Sequence, residues 1–448
     1  MADKKITQLT ALSSAEAVDS DVLPIVDVSA TETKKITLSN LTSYVNNALT
    51  SYVNNAQSYS FTWDTSTSSP ASWTGSSRLI TPIHEKMKRC VVNDSGIVQY
   101  YLDPTDSTKK ADGTAAVLDG TDGMVMVEIP KFYTKREKVG SLITWSISEV
   151  PLTGYSIHPA FIKDGAEVSK RYYGAYDACY WDATDSTYKS GLNLDALTVD
   201  TSEDKLASVS GVYPIVGVTR ATCRALAANR GTGWRQLDFT LWSAVQMLYL
   251  IEYQSFYSQN ILGAGNTNGS YLASSSDQND SPHTVAGASN SLGNSSTNTT
   301  TGAGVSAKPG TSFMCYRGIE NFYGNCWNWA DGINVNVGTN GTVYVTNNRS
   351  DFADNTSTNM TLISSSAPTS SNYASAIDNI DDYFIPTSVS DGSSSTFLTD
   401  YWYGSTSSNQ VVRVGGRAAA GAAAGAFSVA AANGSSSRGR DFGARLAF

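Results

Sequence analysis

Between Asp238 and Tyr253 the chain sets Trp242, Val245, Met247, Leu248, Leu250 and Ile251 on nearly every side of a helix that Asp238 is suited to open. A helix apolar all round cannot lie against water, so the rest of the fold has to enclose it. The longest uninterrupted apolar run, Met247 to Ile251, is far too short to cross a bilayer, so that enclosure has to be protein. This stretch therefore predicts the central packing helix of a main domain, and no membrane insertion.

The chain can supply such an enclosure. Its 448 residues predict two or three folded units, and 41% apolar residues suffice for a sizeable core. Low charge with abundant Ser, Thr, Asn and Gly predicts many strands joined by polar loops. A net charge of -9 excludes a general nucleic-acid binder, since no broad basic surface is available. The last stretch differs locally, with Arg413, Arg417, Arg438, Arg440 and Arg445 against Asp441 alone. Five cysteines, odd in number and without CxxC spacing, predict reduced, buried thiols. Met1 to Lys5 is not followed by an apolar run, which predicts synthesis in a cytoplasm and, for work outside a cell, release by a route such as lysis.

In chain order, residues 1-37 carry Lys4-Lys5-Ile6-Thr7, an alternating Val22 to Val28 and a second Lys34-Lys35-Ile36-Thr37, all strand-like. The eight residues Leu41 to Ala48 recur unchanged as Leu49 to Ala56. Leu38, Leu41, Val45, Ala48, Leu49, Tyr52, Val53 and Ala56 share one helical stripe, with Ser39 or Asn40 placed as the cap. This narrow stripe predicts an oligomerising helix over 38-57, three-stranded, the alternative being a helix docked on its own domain. Residues 58-120 read as a linker and β-rich neck, and 121-448 as the main domain. Met124 to Tyr133, almost continuously apolar at its start, predicts a central strand. Thr219 to Arg230, closed by Gly231, predicts a second helix. Gly263 to Thr311 reads as a long polar surface loop, and Gly338 to Gly341 as a hairpin turn. In the final stretch Val411-Val414, Gly425-Val429 and Gly443-Phe448 read as scaffold strands. Arg417 to Ala424 and Ala430 to Asp441, made of small or polar residues, read as the face that meets another molecule.

Several of these segments, in this order, carry a family likeness: Glu128-Ile-Pro-Lys-Phe-Tyr133, His158-Pro-Ala-Phe161, Arg230-Gly-Thr-Gly-Trp-Arg-Gln236, the buried helix to Glu252-Tyr253, Arg317 to Trp329, and the ending Arg413-Val-Gly-Gly416, Gly425-Ala-Phe427 and Gly443-Ala-Arg-Leu446. Over about 120-448 the chain resembles phage tail proteins with a C-terminal C-type-lectin-like domain. These are relatives of the formylglycine-generating-enzyme fold and of the variable proteins of diversity-generating retroelements. The first forty residues resemble the virion-attachment segment of tail fibre proteins. The resemblance implies an α+β fold in which two helices brace a small antiparallel sheet, with a ligand face on the last strands and loops. It also implies a homotrimer on the virion, docked to other tail or baseplate proteins through its N-terminus and binding a bacterial surface receptor, protein or glycan. In retroelement members adenine-directed mutation of Asn codons yields Ala, Gly, Ser, Arg and Asp, the residues that dominate the two small-residue runs.

Catalytic patterns are sparse. His84, His158 and His283 are far apart in sequence and read as structural, and no HExxH, GxSxG, Walker or dinucleotide motif occurs. Cys315 and Cys326 sit in an aromatic segment that reads as core, and Asp381/Asp382 as a solvated turn. Neither Glu-Pro-Asn nor Gln-Pro-Asp, which calcium-dependent sugar binding would call for, is present. No cofactor, metal or enzyme activity is expected. The candidate receptor-binding residues are Tyr401, Trp402 and Tyr403, whose rings suit an interface, followed by Arg417, Ala418, Ala420, Ala422 and Ala424, and then Ala430, Ala432, Asn433, Ser435, Ser437, Arg438, Arg440 and Asp441. The competing readings are a structural collar or tail component and a polysaccharide-degrading tail enzyme.

Overall fold

The computed structural model describes residues 22-26, 33-67, 78-191, 199-269, 282-298, 312-337, 341-377, 382-407 and 409-448. They form a mixed α+β structure with many strands and few helices, in two units, Met1–Ser58 and Tyr59–Phe448. The polar loop expected at 263-311, the hairpin turn at 338-341 and the linker ending at Gly75 lie partly outside the described residues.

In the first unit Val22–Val26 pairs antiparallel with Thr33–Thr37, Val22 opposite Thr37. A 20-residue helix, Leu38–Gln57, follows at once. Its cap is Thr37, whose hydroxyl accepts from the Asn40 amide at 3.2 Å, and not Ser39 or Asn40 as expected. On this helix Tyr44 is 70% and Val45 52% exposed, so apolar side chains of the repeat face away from their own unit.

The second unit is built round the helix Phe239–Tyr253, all 15 residues of which are buried. The Asp238 carboxylate opens it by accepting from the Leu241 amide at 2.9 Å, and Gln254, at a φ of 57°, closes it in the left-handed conformation. The helix packs on strands Leu142–Ser148 and Trp327–Val337 and on the turn Pro159–Phe161. Glu252 in its last turn is unfavourably placed for the helix dipole. Arg317 compensates with a fork of two bonds at 2.8 Å, and Arg78 adds a bond at 2.5 Å. The second expected helix, Arg220–Ala228, is capped by Thr219 as predicted and ends two residues earlier than expected.

Two larger sheets flank this core. One runs in the order Arg235–Gln236, Leu446–Ala447, Lys170–Gly174, Met124–Pro130, Lys88–Val92, Val98–Tyr101. Met124–Pro130 is interior in it, as its apolar run predicted, with Met124 to Val127 fully buried. The division expected at residue 120 is therefore not a packing boundary, because Lys88–Val92 and Val98–Tyr101 belong to the same sheet. Ser58–Asp64 joins Leu142–Ser148 and Tyr133–Val139 in a separate four-stranded sheet of the same unit. The larger sheet is ordered Thr361–Ala367, Gly341–Val345, Trp327–Val337, Gln410–Val414, Val429–Asn433, Tyr401–Tyr403, Asn372–Tyr373. The chain end joins the two: Phe442–Gly443 runs parallel to Trp327–Val337, and four residues on Ala447 pairs with Tyr173. Among the described residues no helix is long and apolar enough to cross a membrane.

Candidate functional site

Strand Tyr401–Tyr403 shows how the candidate face is built. Side chains alternate across a strand, so Trp402 turns inward, 1% exposed, and donates its indole N–H to the Pro368 carbonyl at 2.8 Å. Tyr401 and Tyr403 turn the other way, half-buried, with ring centroids 4.5 Å apart. Tyr373 extends this row at 5.0 Å from Tyr401, and Trp327 at 5.6 Å from Tyr403. Four rings contributed by three strands of one sheet thus form a continuous aromatic row.

At its Trp327 end lies Arg413. This guanidinium, 5% exposed, sits 3.4 Å from the Phe442 ring centroid and 5.3 Å from those of Trp327 and Trp329, and donates to the Asn433 side-chain carbonyl. Its Nε and one terminal nitrogen have no hydrogen-bond partner among the described residues, so the ring faces take the place of hydrogen-bond acceptors. Burial presses its pKa down to about 9 while Asp441 acts the other way, leaving it cationic at neutral pH. Arg417, its side chain 42% exposed, donates to Asp441 at 2.5 Å and ties together the loops that follow Val414 and Asn433.

The sequence candidates separate accordingly. Tyr401, Tyr403, Arg417, Asn433 and Asp441 gather beside the aromatic row, although Asp441 is itself buried, 5% exposed. Ala422, Ser435 and Arg438 are exposed, and Ala420, Ala432, Ser437 and Arg440 half-buried, on or next to the two loops. Trp402, Ala418, Ala424 and Ala430 are buried at 1% exposure or less and are corrected from contact residues to core. Ala418 is held by a bond from its amide to the Asn325 carbonyl at 2.9 Å, and Ala430 belongs to the interior strand Val429–Asn433. The strand expected at Gly425-Val429 thus begins where that reading ended, with the first part of the expected loop as its body. Tyr373 was missed, since a lone Tyr in a Ser-rich stretch carries no signal of its strand partner.

Asp400 was missed as well. It is 5% exposed, accepts from the Phe427 amide at 2.7 Å and has no ion-pair partner among the described residues, so burial raises its pKa to about 7. The folded chain therefore keeps a proton between the ordinary value of 3.8 and about 7 that the unfolded chain has released. Stability from this group is full below that window and is lost as pH rises through it. Asp400→Asn should melt higher than wild type at pH ~8 and close to it at pH ~4.5. Parallel melting curves across this range, read by circular dichroism, would show that Asp400 does not titrate there.

No protein-family model matches the chain, and no curated protein matches it either. Its chemistry has to be read from its own residues. His84, His158 and His283 are each 1% exposed or less, and burial lowers their pKa values to about 4, 3 and 4, so they are neutral at pH 7. All five cysteines are free and buried, with Cys315 and Cys326 pushed to higher pKa by burial, away from thiolate reactivity. Asp382 is 7% exposed, a correction to the solvated turn expected there, while Asp381 lies outside the described residues. No group of three or more His, Cys, Asp or Glu among the described residues is arranged to hold a metal ion.

Proposed function

We propose that this chain is a receptor-binding protein of phage tail fibre type, whose C-terminal domain, of C-type-lectin-like fold, attaches a virion to a bacterial surface. The observation that carries the reading is the aromatic row Tyr373, Tyr401, Tyr403, Trp327, bordered by Arg413, Arg417 and two loops of small and polar residues. Half-buried Tyr373, Tyr401 and Tyr403, backed by the buried Trp327, give a rigid contact surface at low entropic cost, and the loops beside them vary in side chain without disturbing the sheet. Arg417, Arg438 and Arg440 suit acidic groups of a surface polymer, and Arg is the cation best fitted to carboxylates.

In this reading the first unit supplies attachment and number. The segment before residue 38 docks on other tail or baseplate proteins, and the helix Leu38–Gln57 joins three copies through its repeated apolar stripe, which accounts for the exposure of Val45. Three linked faces turn a weak contact into durable attachment by raising the effective concentration of the second and third. The two small-residue loops are then the positions where diversification would act.

The test is binding of labelled full-length protein to a panel of bacterial strains, with oligomer mass measured in the same samples by light scattering. Trimeric wild type should stain a subset of strains, and combined Arg417→Ala, Arg438→Ala and Arg440→Ala should weaken staining at least ~10-fold while circular dichroism shows the variant still folded at the assay temperature, a loss of about 1.4 kcal/mol or more. Equal staining by this variant would remove the loops from the contact.

A further inference from the structure

The second unit carries another cleft that shares no residue with the aromatic row. Its volume is about 440 Å³, and its lining includes Asp94, Asp122, Trp181, Tyr188, Lys205 and Arg230. We propose that this cleft binds a short, uncharged saccharide. The inference is independent of the receptor-binding reading and survives its failure.

The aromatic wall comes from a hairpin. Cys179–Asp182 pairs with Thr187–Lys189 so that Trp181 faces Tyr188, their rings edge to face with centroids 4.9 Å apart. Both rings are half-buried beside polar groups, an arrangement that leaves apolar ring area in contact with water. The lining continues into the loop that contains Gly120 and Gly123, at φ of 94° and 137°, whose Gly120 carbonyl accepts from the Tyr188 hydroxyl at 3.4 Å. A side chain at Gly120 would collide with the Tyr188 ring, and one at Gly123 with the Val92 carbonyl. Gly120 therefore lets the loop backbone lie against the Tyr188 ring, while Gly123 lets it lie against the backbone of Val92.

The polar groups are fixed in place. Asp94, its side chain 48% exposed, is held by Arg230 at 2.5 Å and Lys205 at 3.3 Å. Arg230 is in turn anchored by a bond from its Nε to the Leu206 carbonyl at 2.7 Å, and the Asp94 carbonyl accepts from the Trp234 indole at 2.9 Å. Asp122 accepts from the Tyr100 hydroxyl at 2.8 Å. Two carboxylates and two cations leave the lining without net charge, which disfavours an ion of either sign as ligand. What suits it is a molecule with one apolar face and several hydroxyls, the face stacking on the indole while the hydroxyls donate to the carboxylates and accept from Lys205. A pyranose ring has this character.

The experiment is saturation-transfer NMR on the full-length protein with the methyl glycosides of glucose, galactose, mannose and N-acetylglucosamine, followed by titration of any that respond. At least one should bind saturably. Trp181→Ala, which removes the stacking face, and Thr121→Arg, which fills the cleft from its exposed rim, should each weaken it by about 10-fold or more. Arg417→Ala should leave it unchanged. Circular dichroism melts confirm that each variant is folded, and if Trp181→Ala is not, Thr121→Arg decides alone. Absence of saturable binding by all four glycosides, or binding retained in a folded cleft variant, overturns the proposal.

Discussion

Replacing Asp238 by Ala should destabilise the main domain by about 3–5 kcal/mol, because it removes one partner of a buried ion pair and leaves the other charged. Asp238 is fully buried and accepts from Arg171, also 1% exposed, at 2.5 Å, with Arg235 a further 3.7 Å away. It also caps the central helix and takes the Thr240 hydroxyl at 2.5 Å, so the same change strips a cap, worth about 1 kcal/mol. Such a loss is a large part of the roughly 5–15 kcal/mol that holds an ordinary domain folded. Burial alone would raise the Asp238 pKa, but Arg171 and Arg235 outweigh it and hold it below the usual carboxylate range. A depressed carboxyl stabilises above its unfolded value of 3.8 and loses that contribution as pH falls toward its folded value. The gap between wild type and Asp238→Asn in urea should therefore be full at neutral pH and narrow below about pH 4. A cost for Asp238→Ala below about 1 kcal/mol would mean that Arg171 finds other partners at once.

Arg445→Met should be nearly as damaging. This fully buried guanidinium donates to Asp177 at 2.6 Å, to the carbonyls of Glu320 and Asn321 at 2.9 and 2.8 Å, and to that of Gly174 at 3.1 Å. One side chain thus fastens the end of strand Lys170–Gly174 to the segment before Trp327–Val337. Its removal takes a donor from three carbonyls and leaves the buried Asp177 carboxylate, still bonded by the Asn325 and Asn328 amides at 2.7 and 3.1 Å, without its cation, a cost again of about 3–5 kcal/mol. Burial already raises the Asp177 pKa against the pull of Arg445, so without that cation it should rise further. Adding Asp177→Asn should then restore part of the loss, since an amide carries no uncompensated charge. A double variant no more stable than Arg445→Met would show that the carbonyls, and not the ion pair, carry the effect. Chemical denaturation of the four proteins gives the complete cycle.

The central helix was legible because its signal is local: apolar side chains on every face admit one environment, and Asp238 and Thr219 cap helices wherever they are met in such a context. The interior strand Met124–Pro130 was legible for the same reason. The Ala-rich ending was not. Ala430 to Ala432 have no strong strand preference, and their conformation is imposed by Gln410–Val414 on one side and Tyr401–Tyr403 on the other. Period-two alternation would have turned Trp402 away from Tyr401 and Tyr403, had the strand been assigned first. Asp400 could not be read at all, because its burial depends on the backbone of Gly425, where a side chain would meet its carboxylate. The division expected at residue 120 followed the extent of the family likeness, which rests on local motifs and does not record strand partners. Within the candidate face, the sequence marked the segments, while the sheet decided which of their residues face outward.

Receptor binding is tested most directly by competition. Purified full-length protein is added to susceptible cells before particles that carry this chain, and unadsorbed particles are counted. Receptor occupancy by the free protein should leave most particles unadsorbed, and the Arg417→Ala, Arg438→Ala, Arg440→Ala variant should block far less well. Adsorption that is unaffected by saturating, folded, trimeric wild-type protein would contradict the assignment.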